Sequence, residues 1–388
     1  MPHSTIHLEL TTAQSSKHAG RPCGDVVASR RTPAGTLIVL GDGIGSGIRA
    51  HIAAEMCVQR IMELVRLGFS QHKAVQSVAR SMTRHRSPDR PYAAFSVAWI
   101  RSDGMATILG YESPDPIVLG PGHADRLAVR NVPLGEAIVT ESQCYLTPGT
   151  SLLLMSDGIT QAGLGTRFPI GWGTDGVLRF INESLADSVA PEDLANQILR
   201  QARSYWETGG DDCTVVMVRC RRGQAVTIMT GPPADRQCDA RLVRRFARKP
   251  GKKIVCGGST AEMVARELGL EVKMEHQPEN LVAPPGYHIE GIDLVTEGTV
   301  TLNQVYRLIE TPAKDFPDDA PVFELCRMLQ AADRIEILQG DAINHANQHI
   351  TFRQRGVLTR DEILPLLIER LRKMDKLVYL TEITDFIK

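Results

Sequence analysis

Short apolar runs in the first half of the chain each carry aspartate at one end. The pairs are 37–40 with Asp42, 151–155 with Asp157, and 214–218 with the preceding Asp211 and Asp212. Continuous apolar runs of this length are typical of strands buried on both faces. A further aspartate in a similar position, Asp25, precedes a strand predicted at 26–29. Because strand ends can meet at one edge of an antiparallel sheet, we expect these carboxylates to share a cleft, as a two-metal site requires.

The glycine-rich segment "GDGIGSG" (41–47) looks like a loop that cradles phosphate, but it lacks the known patterns. The dinucleotide fingerprint fails because Ser46 and Ile48 stand where its last glycine is needed, and the Walker lysine is missing. A bare carboxylate at Asp42 would repel phosphate unless a cation lay between them. Hard divalent cations such as Mg²⁺ and Mn²⁺ prefer oxygen ligands, so the segment favours a metal site.

Length and composition favour a soluble, two-domain protein. The chain has 388 residues, a net charge of -1 and 43% hydrophobic residues. Two domains are therefore expected, and no global basic field favours nucleic acid or membrane as a partner. No apolar run is long enough to span a membrane, and the first residues lack the order of a signal peptide. The eight cysteines are scattered, as reduced thiols usually are, so we expect a cytoplasmic location.

The first half mixes strands and helices. Residues 93–100 and 105–111 are predicted to pair through a turn at Ser102-Asp103-Gly104. Helices are predicted at 47–67, 71–84 and 191–207. In the first of these, apolar residues recur at helical spacing and form a stripe, namely Ile48, Ile52, Met56, Ile61 and Val65. A polar, basic stretch after Val218 predicts a domain boundary near 220–224.

The second half repeats a strand-then-helix order that predicts βαβ units and a parallel sheet over 225–388. In "IVCGGSTAEMVARELG" a glycine turn lies between strand and helix, where backbone N–H groups suit a small phosphorylated or carboxylated ligand. The residues of this candidate site are Gly257, Gly258, Ser259 and Thr260. An ordinary capped helix is the alternative. Arginines at 241, 244, 245 and 248 share a helical face that is either solvated or docks an acidic partner.

"GDGIGSG", "LLLMSDGITQAG" and "GGDDCTVVMV" resemble the metal-dependent protein phosphatase (PPM) family, and most closely its SpoIIE-type bacterial branch. The resemblance covers about residues 1–220 and none of 225–388. It implies an αββα sandwich for this part of the chain. With the smaller α/β domain predicted from the strand-then-helix order of 225–388, the expected fold class is α/β (α+β). The resemblance also implies two Mn²⁺ or Mg²⁺ ions. Their ligands would be Asp42, which bridges the metals, the Gly43 carbonyl, Asp25, Asp157, Asp211 and, where the family has Asp or Asn, Asp212.

The chemistry that the resemblance implies is hydrolysis of phosphoserine or phosphothreonine on a protein substrate. A metal-bound hydroxide attacks phosphorus in line, so no Ser or Cys nucleophile is required. Asp42, Asp157 and Asp211 would carry catalysis by holding the metals. Either His51 or His85 could assist the reaction as an acid; the alternative is that they belong to a solvated helix face. Cys213 is interpreted as a side chain that packs in the interior.

We interpret the chain as a Ser/Thr protein phosphatase of bacterial signalling with an appended, ligand-sensing domain. A catalytically inactive phosphatase fold used as a binding module is the alternative, and an unrelated metal-dependent hydrolase is a weaker one. By resemblance, the helices at 47–67 and 71–84 are expected to regulate activity and to offer a homodimer surface.

Overall fold

The computed structural model describes residues 6–18, 20–45, 47–84, 92–206, 210–276, 286–316, 320–342 and 356–382. Contacts divide the chain into two compact units, Ile6–Arg222 and the segment Gly223–Lys388. All eight cysteines are free thiols. No helix in these described ranges combines the length and the apolar character needed to cross a bilayer.

The first unit consists of two antiparallel sheets and the helices that cover them. Its strands are β1 (Ile6–Ser15), β2 (Asp25–Thr32), β3 (Gly35–Gly43), β4 (Ala93–Arg101), β5 (Met105–Tyr111), β6 (Ile117–Gly120), β7 (His123–Arg126), β8 (Arg130–Leu134), β9 (Ala137–Tyr145), β10 (Ser151–Met155) and β11 (Cys213–Arg222). Its helices are α1 (Ile48–Arg66), α2 (Gln71–Arg84), α3 (Asp157–Thr160), α4 (Gly173–Ala186) and α5 (Pro191–Tyr205). The strand orders are β2-β3-β4-β5-β9-β8 and β1-β11-β10-β6-β7.

The alternation of side chains along β3 explains its continuous apolar run. Ile38 and Leu40 pack in the cluster between the two sheets. Leu37 and Val39 point the other way and pack with residues of α1 and α2. On the second sheet, β10 divides its side chains in the same manner between the inter-sheet cluster and the helices α4 and α5. The layers are therefore helix, sheet, sheet, helix, which confirms the predicted αββα sandwich.

The apolar stripe of α1 is divided between the surface and the core. Ile48, Ile52 and Met56 are 66%, 47% and 61% exposed, whereas Ile61 is fully buried. The face of α1 that lies on the sheet carries small residues, including Ala50 and Ala54 among the buried ones. Small side chains allow the helix to approach the strands closely, so the larger apolar residues of its first turns remain on the outer face.

The second unit is built on a mostly parallel sheet. Its strands are β12 (Ala225–Thr230), β13 (Lys252–Cys256), β14 (Lys273–His276), β15 (Gly286–His288), β16 (Leu294–Thr296), β17 (Arg334–Gln339) and β18 (Leu377–Glu382). Its helices are α6 (Asp239–Ala247), α7 (Gly258–Leu268), α8 (Thr299–Leu308), α9 (Pro321–Ala331) and α10 (Arg360–Lys373). The strand order is β14-β15-β16-β13-β12-β17-β18.

The predicted parallel sheet is confirmed for the run β16-β13-β12-β17-β18. At one edge, β15 pairs antiparallel with both β16 and β14, an arrangement that the strand-then-helix pattern does not predict. The connection from β15 to β16 is too short for a crossover helix, so the strands must run in opposite directions. Side chains of α6 and α7 pack on one face of the sheet, and those of α8, α9 and α10 pack on the other.

Candidate metal centre

Asp25 and Asp42 lie directly opposite each other in the register of β2 and β3. Asp25 is the first residue of its strand and Asp42 is the last but one of its own, so antiparallel pairing brings both to one edge. Asp25 is only 2% exposed, and neither of its carboxylate oxygens has a hydrogen-bond partner of normal geometry. Burial, helped by the charge of Asp212, raises the pKa of Asp25 to about 6, although the nearby Thr214 and Ser156 hydroxyls oppose the shift.

Asp157 reaches the same edge from the other sheet. Its backbone N–H donates to Asp42 Oδ2 over 3.3 Å, a contact between residues 115 positions apart. Burial raises the pKa of Asp42 well above its ordinary value, and the charges of Asp25 and Asp157 raise it further. The Asp157 side chain is oriented by Gln161, whose Nε2 donates to Asp157 Oδ2 over 2.7 Å.

Asp211 and Asp212 complete the group from the loop before β11. Asp211 Oδ1 accepts the Asp212 backbone N–H at 3.0 Å, and burial raises the Asp211 pKa. Asp212 is 5% exposed, with Oδ1 bonded to the Lys17 backbone N–H at 2.8 Å and Oδ2 lacking a partner. We call Asp25, Asp42, Asp157, Asp211 and Asp212 the aspartate cluster.

Gly158 is what allows Asp157 and the pair Asp211-Asp212 to lie side by side. A Cβ at this position would lie 2.0 Å from the Asp212 carbonyl oxygen and 3.3 Å from Asp211 Cβ. Contacts under 3.0 Å require the backbone to shift, so a larger residue would separate the two segments. The Gly43 N–H, in turn, donates to the Gly24 carbonyl over 3.3 Å, which ties the end of β3 to the start of β2.

The donor set has the chemistry of a site for hard divalent cations. Within the described ranges, no three His, Cys, Asp or Glu side chains form a ready-made cage for one ion. Mg²⁺, however, usually keeps several waters and needs only one or two carboxylates from the protein. Both oxygens of Asp25 and one of Asp212 are buried without a partner. A cation would satisfy these oxygens and offset the mutual repulsion of the carboxylates, so the residues fit the metal.

The other side chains singled out near this edge have different roles. His51 Nδ1 lies 2.8 Å from the Cys23 carbonyl oxygen and links α1 to the loop before β2. His85 lies outside the described residues. Burial raises the pKa of Cys213 to about 12, and its Sγ donates to the Gly158 carbonyl over 3.3 Å. Cys213 is thus a buried neutral thiol, as the packing interpretation expects.

Two contacts of the aspartate cluster were not predicted from the sequence. Gln161 follows Asp157 by four residues, a spacing that places side chains together on one helical turn and could have identified it. Lys17 offered no such signal, because its bond to Asp212 joins residues 195 positions apart.

The glycine turn of the second unit lies at the start of α7. Gly258 and Ser259 are exposed, whereas Thr260 is 1% exposed and its Oγ1 accepts the Gly231 N–H over 2.9 Å. This bond ties the end of β12 to the first turn of α7. Anion binding at residues 257–260 stays a prediction.

Residues 32–221, just under half of the chain, match the family model described as Stage II sporulation protein E (SpoIIE). A search of curated proteins finds no match to the sequence. Among solved structures, the chain is similar to the PP2C phosphatase domain with a fragment of the regulatory domain of SpoIIE from Bacillus subtilis. The identity is 18% and the TM-score 0.48, with 57% of this chain and 66% of that chain covered.

Two further solved structures are similar at lower identity. The RsbU and RsbW domains of a Mycobacterium tuberculosis protein are 17% identical with a TM-score of 0.47, covering 68% of this chain and 70% of that one. The catalytic domain of the serine/threonine protein phosphatase PstP, in complex with two manganese ions, is 13% identical with a TM-score of 0.40. It covers 56% of this chain and 99% of that one.

The αββα fold of the unit Ile6–Arg222 and the match of residues 32–221 to the SpoIIE family model make this part of the chain similar to the domains of that family.

Proposed function

We propose that the first unit hydrolyses phosphoserine or phosphothreonine on a protein substrate in bacterial signalling, with two Mn²⁺ or Mg²⁺ ions as cofactors. The observation that carries the proposal is the meeting of Asp25, Asp42 and Asp157 at one edge of the sandwich, where Asp157 donates its N–H to Asp42. The match of residues 32–221 to the SpoIIE family model supports the reaction class, and the unpartnered oxygens of Asp25 support the need for cations.

The residues of the aspartate cluster would act as the ligands of the two ions. Asp42 contacts both Asp25 and Asp157 and would therefore be the shared ligand, with the Gly43 carbonyl beside it. When bound, the cations supply positive charge to the phosphoryl oxygens and lower the pKa of water for the attack. Gln161 fixes the orientation of Asp157, and no side chain is needed as a covalent nucleophile.

The direct test is hydrolysis of a phosphoserine peptide by the full chain. We expect turnover with Mn²⁺ or Mg²⁺, loss of turnover with EDTA, and recovery when excess Mn²⁺ is restored. A chain that binds Mn²⁺ but turns over neither this peptide nor p-nitrophenyl phosphate would instead be a binding module with a phosphatase fold. Turnover that persists in EDTA would contradict the metal-dependent chemistry itself.

A further inference from the structure

The parallel sheet of the second unit reverses its winding between β12 and β17. Helices α6 and α7, which follow β12 and β13, pack on one face of the sheet, whereas α8, α9 and α10 pack on the other. The strand order places β12 and β17 side by side within the sheet. Ligands of open α/β sheets bind outside the carboxyl ends of the strands at such a reversal. The loops that leave β12 and β17 therefore mark where a ligand of this unit would lie.

Arg360, the first residue of α10, lies at this edge of the sheet. Its guanidinium group lies so close to Gly231, the residue after β12, that a Cβ on Gly231 would overlap it. Its Nη2 donates to the Ala342 carbonyl, just after β17, over 2.9 Å. The Arg360 side chain is only 17% exposed, and its Nε is buried without a hydrogen-bond partner among the described residues. A cation is thus held where the loops after β12 and β17 meet.

The carboxylates near Arg360 compensate its charge only in part. Asp361 Oδ1 lies 3.7 Å from Arg360 Nε, but the Asp361 side chain is 77% exposed and also accepts a hydrogen bond from Gln339. Asp341 Oδ1 accepts the Ala234 N–H over 2.7 Å. Burial lowers the pKa of Arg360, and the charges of Asp361 and Asp341 oppose this shift. A largely buried guanidinium group is costly without a close anionic partner, so a bound anion would stabilise it.

Two helix starts without side-chain caps meet next to Gly231. α7 begins after Gly257 and α8 after Gly298, and neither helix has an acidic residue in its first turn. A Cβ on Gly298 would lie 3.3 Å from the Gly257 Cα, so the two helix starts are in contact. Thr260, in the first turn of α7, accepts the Gly231 N–H. In the first turn of α8, Thr301 is fully buried and its Oγ1 has no hydrogen-bond partner among the described residues.

The start of α10 is built differently from those of α7 and α8. Thr359 and Glu362 form a capping box there, which occupies backbone N–H groups of the first turn. α10 therefore offers a ligand the Arg360 side chain, whereas α7 and α8 offer their N–H groups and the positive ends of their dipoles.

We propose that the carboxyl edge of the second sheet binds a small molecule through its phosphoryl group, which contacts the Arg360 guanidinium and the N–H groups at the starts of α7 and α8. Arginine suits the phosphate group because its planar fork can donate two parallel hydrogen bonds. The glycine turn predicted at 257–260 is then one part of a larger site. This site belongs to the second unit and does not depend on hydrolysis by the first.

Two substitutions separate phosphate binding from folding. Arg360→Gln removes the positive charge and should weaken phosphate binding about tenfold or more, the scale of one hydrogen bond to a charged group. Gly258→Asp places a carboxylate on the first residue of α7, where a Cβ would meet nothing within 4 Å. An acidic residue there favours the helix but repels phosphate, so this variant should keep its melting temperature and lose phosphate affinity.

Arg248→Gln is the matched control for the loss of charge. Arg248 is exposed at the end of α6, just before β13 begins, so it lies at the opposite edge of the parallel sheet. This variant should bind phosphate as the wild type does.

The experiment measures binding of inorganic phosphate to the metal-free full chain by calorimetry, together with the melting temperature of each variant. Without cations, the aspartate cluster of the first unit presents only carboxylates, which repel phosphate. We expect binding by the wild type and Arg248→Gln, and affinities at least about tenfold weaker in Arg360→Gln and Gly258→Asp. No binding by the wild type, or wild-type affinity in Gly258→Asp, would overturn the proposal. Wild-type affinity in a folded Arg360→Gln variant would overturn it as well.

Discussion

Asp25 and Asp42 face each other across one rung of the β2–β3 ladder, and the side-chain oxygens of Asp25 are buried without partners. Two carboxylates in this position repel each other and are costly to bury while ionised. Such a pair is stable only when protonated or when a cation lies nearby. The relationship between these two residues therefore links metal loading to pH and to stability.

The first prediction concerns the stability of the metal-free protein. The pKa of Asp25 is raised from 3.8 to about 6, so the folded state binds more protons than the unfolded state between these values. Stability should therefore fall as pH rises through this range, by about 3 kcal/mol for a shift of two units. Thermal unfolding in EDTA should show Asp25→Asn to be more stable than the wild type above pH 6 and no more stable near pH 4. An equal stability difference between Asp25→Asn and the wild type at both pH values would exclude the Asp25 carboxyl group as the source of the pH dependence.

The second prediction separates two ligands by their contacts. Asp42 pairs with Asp25 in the strand ladder and accepts the Asp157 N–H, whereas a third of the Asp211 side chain is exposed and water can replace it. In a Mn²⁺ titration of turnover, Asp211→Asn should regain much of its activity at high Mn²⁺, and Asp42→Asn should regain little. The reverse order of rescue would be incompatible with Asp42 as the shared ligand.

The third prediction concerns the exposed apolar face of α1, formed by Ile48, Ile52 and Met56. Exposed apolar patches often mark contact surfaces, and the homodimer expectation falls on this helix. Ile52→Asp should reduce self-association in sedimentation experiments and change unfolding stability by no more than about 0.5 kcal/mol. Leu67→Asp is the control, because Leu67 caps the other end of α1 and is also exposed, at 57% against 47% for Ile52. A wild-type chain that remains monomeric at high concentration would rule out this surface.

Val78 of α2 is unsuited to such a test, because it is 3% exposed and packs in the core beside α1. A charge there would be expected to unfold the unit rather than report on an interface.

The fourth prediction concerns the second unit. If the exposed N-terminus of α7 at Gly258 and Ser259 binds a small anion, phosphorylated or carboxylated metabolites should raise the melting temperature of the full chain in EDTA. Ser259→Glu places a negative charge at the same position and should abolish that shift, because like charges repel. A shift that survives the substitution locates the ligand elsewhere. The absence of any shift across a broad panel would leave residues 257–260 as an ordinary helix start.

The sequence predicted those parts of the fold in which burial leaves a pattern. The run at 37–40 identified β3 because both faces of that strand are buried, and the strand-end aspartates pointed to one edge of the sheet. The helical spacing of Ile48 and Ile52 shows that a face of α1 is apolar but not whether that face is covered. Which face of α1 is covered depends on the small residues that the helix places on the sheet.

Other features depend on contacts between distant parts of the chain and leave no local pattern. The register that sets Asp25 opposite Asp42 follows from strand pairing. The contact of Lys17 with Asp212 follows from how the β1–β2 connection lies over the start of β11. The antiparallel edge of the second sheet likewise follows from a short connection between strands only three residues long.

The most direct test of the account is turnover of a phosphoserine peptide at saturating Mn²⁺ by Asp42→Asn and Asp157→Asn. Asp103→Asn is the matched control, because Asp103-Gly104 has the same Asp–Gly sequence but lies in the β4–β5 turn and pairs with Arg101. The account predicts that each cluster variant loses about a hundredfold or more in turnover, the scale of losing one preorganised electrostatic contact. The control should keep wild-type turnover. Near-normal turnover in both cluster variants would contradict the assignment of the aspartate cluster as the metal centre.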